Sequence, residues 1–231
     1  MAKVTYGPIV GQASGSVGAT VFSRNRYGTY ARRRAIPTIS TTVDAINAKA
    51  RLSGASQAWG AITPEQRLAW VNWALANPIT DVLGVQQALT GHAAFTGNYA
   101  RMNRAGDTEL EDPPVVGAPA ALLTMTATFD IGAGTSVVTF TPTPLGTDHR
   151  LWLQAAVVNS ASINYVQNLL RLVHVSAKDL ATDYDYQAVV EAKFGALQVG
   201  QKVVLLASVF DGATGLLSGP RRVEGVVEST V

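Results

Sequence analysis

Cysteine is absent from this chain of 231 residues, which excludes disulfides, thiolate-bound metals and cysteine nucleophiles. Charged residues are also scarce, at 15% against about 25% in an average soluble domain. Hydrophobic residues make up 47% of the chain, so it can bury a core, and a wholly disordered protein is excluded. No apolar run is long enough to span a bilayer, and we expect no membrane partner.

Acidic side chains are missing from the first 43 residues, and this absence is part of a larger division of charge. Residues 1–104 carry eleven basic and three acidic side chains, a net +8, whereas residues 105–231 carry seven and thirteen, a net −6. Such a division indicates an anionic partner for the basic end, either nucleic acid or an acidic protein surface. A solvated basic face is the alternative.

Motifs for catalysis or cofactor binding are also absent. The sequence contains no P-loop, no H-E-x-x-H and no G-x-G-x-x-G after a predicted strand. The three histidines, His92, His149 and His174, are far apart in the sequence and lack the spacing of metal ligands. We therefore expect no catalytic residues, no metal site and no cofactor, and we expect that the protein is not an enzyme.

Residues 1–40 predict an extended basic arm that contains a hairpin. Residues 17–23 and 29–34 are the predicted strands, with a turn at Tyr27 and Gly28. A hairpin of this size is marginal alone, so it needs a second surface. The predicted partner-binding residues are Phe22, Arg24, Arg26, Tyr27, Tyr30, Arg32, Arg33 and Arg34.

These arginines and aromatics are compatible with two kinds of partner. They could stack on bases and grip phosphates, or they could enter acidic grooves of a neighbouring protein. The sequence of the hairpin does not distinguish between these two kinds of partner. The rest of the chain has the organisation of a folded display module, and this favours protein.

Residues 41–105 predict a helical anchoring domain of three helices. The first covers about 42–59, and the third begins near Thr90. The second has the clearest start, Thr63-Pro64-Glu65-Gln66, in which Thr63 is the N-cap, Pro64 the first helical residue and Gln66 the partner in a capping box. We expect the core of this layer, rather than a stacking platform, to contain Trp59, Trp70 and Trp73.

The remaining sequence changes character twice. Residues 106–120 contain four acids, three prolines and no apolar period, so they predict a linker. From residue 121 onward short segments alternate with turn residues, and one of them contains Trp152, whose face the alternation does not assign. The predicted strands are 123–129, 135–141, 150–159, 168–176, 186–194, 202–210 and 221–228.

Seven strands in this space are typical of an immunoglobulin-like or fibronectin type III-like β-sandwich over residues 121–231, although a small barrel would give a similar pattern. The predicted fold class is therefore α+β: a basic hairpin and a small helical layer, followed by a β-sandwich.

The N-terminal motifs resemble a group of functionally uncharacterised proteins of tailed bacteriophages and prophages. Residues 15–32 have the form G-x-V-G-x-x-V-F-S-R-N-x-x-G-x-Y-x-R. A helix with Trp59, the segment 63–70 (TPEQRLAW) and the segment 89–95 (LTGHAAF) follow in the same order. The resemblance covers about residues 5–104, and it offers no catalytic residues to carry over.

The resemblance implies a virion protein, located on the capsid surface after assembly in the host cytoplasm. The tandem of basic arm and immunoglobulin-like domain is also similar to capsid decoration proteins. The first hypothesis is thus a decoration or cement protein that binds the major capsid protein or other virion proteins and, through capsid symmetry, copies of itself. The second is a head–tail connector or tail accessory protein, and the third is a nucleic-acid-binding module that uses the Arg/Tyr hairpin.

Overall fold

The structure, a computed structural model, describes residues 2–3, 13–25, 28–80, 84–132, 134, 136–181 and 183–229. Its contacts divide the chain into two compact units, Met1–Asn47 and Ala48–Val231. Helices and antiparallel sheets both occur, so the predicted α+β class is confirmed. The predicted division into 1–40, 41–105, 106–120 and 121–231 stays a prediction.

The smaller unit contains an antiparallel sheet, here called the basic sheet, in the order β1-β4-β3-β2. A turn at Gly18, whose φ is +58°, divides the predicted first strand into β2 and β3. The predicted turn residue Tyr27 lies outside the described residues. The strands are β1 (Ala2–Lys3), β2 (Gly15–Val17), β3 (Thr20–Asn25) and β4 (Gly28–Arg33).

The helical layer has the predicted starts. The Thr63 hydroxyl accepts a hydrogen bond from the Gln66 backbone N–H at 3.3 Å, and the Gln66 side-chain oxygen accepts one from the Thr63 N–H at 2.9 Å, so the capping box is confirmed. Thr90 caps the third helix. The elements are α1 (Val43–Ala61), α2 (Pro64–Ala76), the short β5 (Ile79–Thr80) and β6 (Gln86–Gln87), and α3 (Gly91–Ala105).

An aromatic cluster holds this layer together. Trp70 is fully buried, and its ring meets Phe95 edge-on at 5.5 Å, while Trp59 lies 5.4 Å from the same ring. Trp73 packs against the cluster. The predicted role of the three tryptophans as core is confirmed.

Two antiparallel sheets follow and share one apolar core. The first has the order β11-β8-β7 and the second the order β10-β9-β12-β13. Burial raises the pKa of Tyr186, whose hydroxyl donates to the Thr128 carbonyl at 2.6 Å within this core. The strands are β7 (Thr124–Ala127), β8 (Val137–Thr141), β9 (His149–Val158), β10 (Arg171–Val175), β11 (Tyr184–Asp185), β12 (Lys202–Asp211) and β13 (Arg221–Val226).

The strand predicted over 186–194 is wrong, because this segment forms helix α4 (Gln187–Phe194). Val190 is fully buried and Phe194 packs against the same core, at the i, i+4 spacing that puts both on one helix face. The Asp185 carboxylate accepts a hydrogen bond from the Gln187 N–H at 3.0 Å at the start. Gly195, with φ +91°, follows the last turn.

Trp152 lies on the outer face of the four-stranded sheet. Its neighbours in sequence, Leu151 and Leu153, enter the core between the sheets, whereas Trp152 packs against Phe210 and against Met102 of α3. Trp152 therefore attaches the helical layer to the sheet and does not fill the centre of a sandwich.

A buried ion pair ties the end of α3 to the same sheet. Asp107, whose side chain is 6% exposed, accepts two hydrogen bonds from Arg150 at 2.9 Å and lies 3.3 Å from the Lys178 ammonium. Burial by itself would raise the pKa of Asp107, but the hydrogen bonds from these two cations outweigh it and lower that pKa. Asn98 adds a hydrogen bond to the Thr214 carbonyl at 2.8 Å.

Candidate partner-binding surface

The register of the basic sheet places the predicted partner-binding residues on two faces. Phe22 pairs with Ala31 and Arg24 with Thr29, and alternation puts Phe22, Arg24 and Arg33 on one face. Tyr30 and Arg32 lie on the other. Each face therefore carries an aromatic ring and at least one arginine. Arg26 and Tyr27 lie outside the described residues.

The basic sheet buries no side chain in the part of it whose burial the structure describes. Among the described residues of positions 13–47, none is buried, and the aromatic rings of Phe22 and Tyr30 are only half-buried. Val17 is 73% exposed. A sheet of three or more strands is stable by itself only when it has a hydrophobic face to bury, and the described side chains of this sheet are not buried. The sheet thus has the properties of a surface that another body must complete.

The positive charge of the sheet, and of Arg34 directly after it, is available to a partner. Arg24, Arg32, Arg33 and Arg34 are all exposed, and none of them forms an ion pair with a described residue. Unpaired arginines suit bidentate recognition of carboxylates or phosphates. The sheet therefore offers an uncompensated cationic surface next to exposed apolar side chains.

Residues 34–41 form an extended segment that we call the strap. The backbone N–H of Arg34 donates a hydrogen bond to the Ala19 carbonyl at 2.8 Å, which joins the start of the strap to the basic sheet. The strap has no helix or strand, and its two isoleucines, Ile36 and Ile39, are 83% and 73% exposed. A depression of about 420 Å³ borders its first residues. The strap is therefore a second apolar and cationic element after the sheet.

The larger unit contains a cavity that sequence reasoning missed. It has a volume of about 390 Å³ and lies between α1, α2, α3 and the chain at 109–111. The acid-rich run at 107–112 could have indicated it, but a linker explained those acids equally well. We call it the acidic groove, and its walls include Ile62, Gln66, Phe95, Tyr99, Glu109 and Glu111.

The carboxylates of the acidic groove are held in place by neutral groups. Glu109 accepts a hydrogen bond from the Asn103 amide at 2.9 Å, and Glu111 accepts one from the Gln66 amide at 3.3 Å. The Glu111 backbone carbonyl also accepts a hydrogen bond from the indole N–H of Trp70 at 2.7 Å, which holds the backbone at Glu111 in place. An amide carries no charge, so neither of these hydrogen bonds pairs the carboxylate with a cation.

Two of the three histidines pack against aromatic rings. His92 meets Trp59 edge-on at 5.4 Å, and His174 stacks on Tyr184 at 4.7 Å, where burial lowers the pKa of His174. Within the described ranges, no group of three or more acidic or histidine side chains is placed to hold a metal ion. The same part of the chain contains no helix long and apolar enough to cross a membrane.

No protein-family model, no curated protein and no solved structure matches this chain.

Proposed function

We propose that the chain is a structural protein of a tailed-phage virion, and specifically a capsid decoration or cement protein. In this role the basic sheet anchors the protein on the capsid, and the two-sheet region projects from the surface. The observation that carries the proposal is the basic sheet itself, which has exposed arginines and no buried residue among its described positions. The resemblance of residues 5–104 to phage and prophage proteins supplies the virion context.

The energetics of the basic sheet support docking on another protein. Phe22 and Tyr30 lie on opposite faces, so a partner that covers both faces would supply the missing core. Aromatic residues and arginine are the side chains that contribute most to protein interfaces. A crevice between two capsomers would cover both faces together, and binding there would link the capsomers.

The placement of the arginines favours protein over nucleic acid. Arg24 and Arg33 lie on one face of the sheet and Arg32 on the other. A single duplex surface would neutralise the arginines of one face and leave the other in solvent, whereas an acidic crevice neutralises both. Phosphate contacts to a duplex also need no apolar anchors, and here each face carries an aromatic ring.

We also propose that residues 121–231 form a fibronectin type III-like sandwich. In the immunoglobulin-type sandwich the first, second and fifth strands share one sheet, and the third, sixth and seventh share the other. The orders β11-β8-β7 and β10-β9-β12-β13 follow this rule, with the fourth strand beside the third. Trp152 departs from the immunoglobulin pattern, because it packs on the outer face of its sheet.

Copy number tests the proposed function most directly. Gel densitometry of purified particles that contain the chain should give hundreds of copies, because a decoration protein follows the capsid lattice. Tens of copies or fewer would overturn the decoration role and favour a connector or tail accessory protein. Absence from the particle would overturn the virion role altogether.

A second experiment tests whether the arginines bind acidic groups of the capsid or phosphates of nucleic acid. The triple variant Arg32→Ala, Arg33→Ala, Arg34→Ala should abolish attachment to DNA-free shells, while a control without the exposed cations Arg171 and Lys193 attaches normally. If the arginines instead bind phosphates, shell attachment survives. Affinity for duplex DNA then falls with log salt at about −0.9 per phosphate neutralised, and the triple change flattens that slope by up to about 3.

A further inference from the structure

We propose that the strap of one copy binds the acidic groove of a second copy, with Arg34 placed between Glu109 and Glu111. The proposal rests on the proposed virion function, because it names one partner of the N-terminal region, namely a neighbouring copy in the array. It assigns different tasks to two adjacent elements. The basic sheet holds the capsid, and the strap holds the next copy.

The chemistry of the acidic groove defines its ligand. Ile62 and Phe95 are apolar residues of its lining, which we call the floor, and Glu109 and Glu111 line it as well. Its volume of about 390 Å³ is near the low end of ligand pockets, which run from about 300 to 1,000 Å³. A groove of this size fits one or two side chains of an extended peptide, one apolar and one cationic.

The strap has the matching chemistry. Arg34 is followed two residues later by Ile36, which is 83% exposed. In an extended chain, residues i and i+2 point to the same side about 6–7 Å apart. Pro37 restricts the backbone around it to extended conformations, which lowers the ordering cost of binding. Arg34 can thus face the carboxylates while Ile36 meets the apolar floor.

The charge of the whole chain favours a second copy as the partner. Residues 1–104 carry a net +8 and residues 105–231 a net −6, so two copies attract each other when opposite ends meet. The strap and the groove are different surfaces, so a single contact between two copies leaves one strap and one groove free, and further copies can extend the contact into a ring or an open array. A chain that covers a lattice requires contacts of this kind.

The test uses the full chain and two charge reversals, Arg34→Glu in the strap and Glu111→Arg in the groove. Sedimentation velocity should show that the unaltered chain self-associates and that added salt weakens the association. Each variant alone should raise the dissociation constant at least about tenfold, which is the loss expected for one charge pair of ~1.4 kcal/mol. Tryptophan fluorescence should show that both variants remain folded.

Mixing the two variants shows whether the strap binds the groove of another chain or of its own chain. The Glu111→Arg chain keeps an intact strap and the Arg34→Glu chain an intact groove, so mixing the two chains should restore an association that neither shows alone. If the strap binds the groove of its own chain, mixing restores nothing. The proposal is then overturned, as it is if the unaltered chain is monomeric or if both variants associate normally.

The variant Arg24→Glu is the matched control, because it reverses one arginine of the basic sheet and leaves the strap intact. It should weaken attachment to DNA-free shells and leave self-association unchanged. A further variant, Glu111→Gln, removes the charge of the groove residue without adding a larger side chain. If it associates as tightly as the unaltered chain, the loss seen for Glu111→Arg comes from the size of arginine and not from charge, which also overturns the proposal. In one outcome the variants lose shell attachment but all of them still self-associate normally. That outcome contradicts the strap proposal and is compatible with the proposed function.

Discussion

The two units of this protein use β-strands in opposite ways. In the larger unit, β9 and β12 pair along ten residues, and side chains of both strands are buried in the core between the sheets. In the smaller unit, β3 and β4 pair along six residues, and no described side chain there is buried. Backbone pairing alone therefore does not show whether a sheet has a buried core. The difference lies in whether apolar side chains have something to pack against.

The comparison predicts that stability resides in the larger unit. All four tryptophans, Trp59, Trp70, Trp73 and Trp152, lie in that unit, so tryptophan fluorescence reports on its unfolding. The substitutions below are ordered by the expected loss of free energy of unfolding.

The largest loss is expected for Leu205→Ala. Leu205 is fully buried between the sheets, and truncating such a leucine removes about 2–5 kcal/mol through lost burial and an unfilled cavity. Urea denaturation followed by tryptophan fluorescence measures the change. A loss below about 1 kcal/mol would show that this core is loosely packed and would weaken the contrast between the units.

A loss of about 2 kcal/mol at neutral pH is expected for Asp107→Asn, because Arg150 keeps its charge and loses its partner. The pKa of Asp107 is lowered in the folded state, so its carboxylate stabilises the protein above its ordinary pKa of about 4. That contribution disappears as the pH falls through the lowered value. Denaturation curves at several pH values should therefore converge for the two proteins in acid.

The control for this substitution is Asp183→Asn, which changes an exposed carboxylate in the same way. It should leave the free energy of unfolding within about 0.5 kcal/mol of the unaltered protein. A constant difference between Asp107→Asn and the unaltered protein down to low pH would mean that packing, and not charge, accounts for the loss.

A loss of about 1 kcal/mol is expected for Thr63→Ala, since it removes the N-cap hydroxyl and breaks the capping box of α2. Thr63→Ser keeps the hydroxyl and should retain most of the stability. The two variants are compared by thermal unfolding monitored by circular dichroism. If both variants lose the same stability, the capping hydrogen bond is not the cause of the loss.

The smallest loss is expected for Phe22→Ala in the basic sheet. Phe22 is only half-buried, so the free energy of unfolding seen by tryptophan fluorescence should change by less than about 0.5 kcal/mol. Shell attachment, by contrast, should fall sharply, because a buried aromatic anchor carries much of an interface. A large loss of stability with normal attachment would reverse the roles assigned to the two units.

Local signals in the sequence predicted several elements well. The Thr63 and Thr90 caps were predictable because a helix start needs a side-chain acceptor for its free N–H groups. The tryptophans of the helical layer were predictable because large aromatic rings at helical spacing bury more area than any alternative. The helix at 187–194 was missed, since two valines in a short segment suit a strand as well as a helix.

The candidate site was only half predictable, because its two parts depend on contacts over different distances along the chain. The arginines and aromatics of residues 22–34 stand out in the sequence, and alternation divides them between two faces. The acidic groove does not stand out, because Phe95 and Glu111 come from distant segments. Only the packing of α1, α2 and α3 brings such residues to one cavity.

The sequence by itself determined the periods, the caps and the division of charge between the ends of the chain, because each depends on neighbours within a few residues or on composition alone. The tertiary structure decided what covers each face. Alternation shows that Leu151 and Trp152 point to opposite sides of their strand. Only the arrangement of the second sheet and α3 decided that Leu151 enters the core between the sheets and that Trp152 packs under the helix. Burial depends on the partner surface, and the partner surface comes from residues far away in the chain.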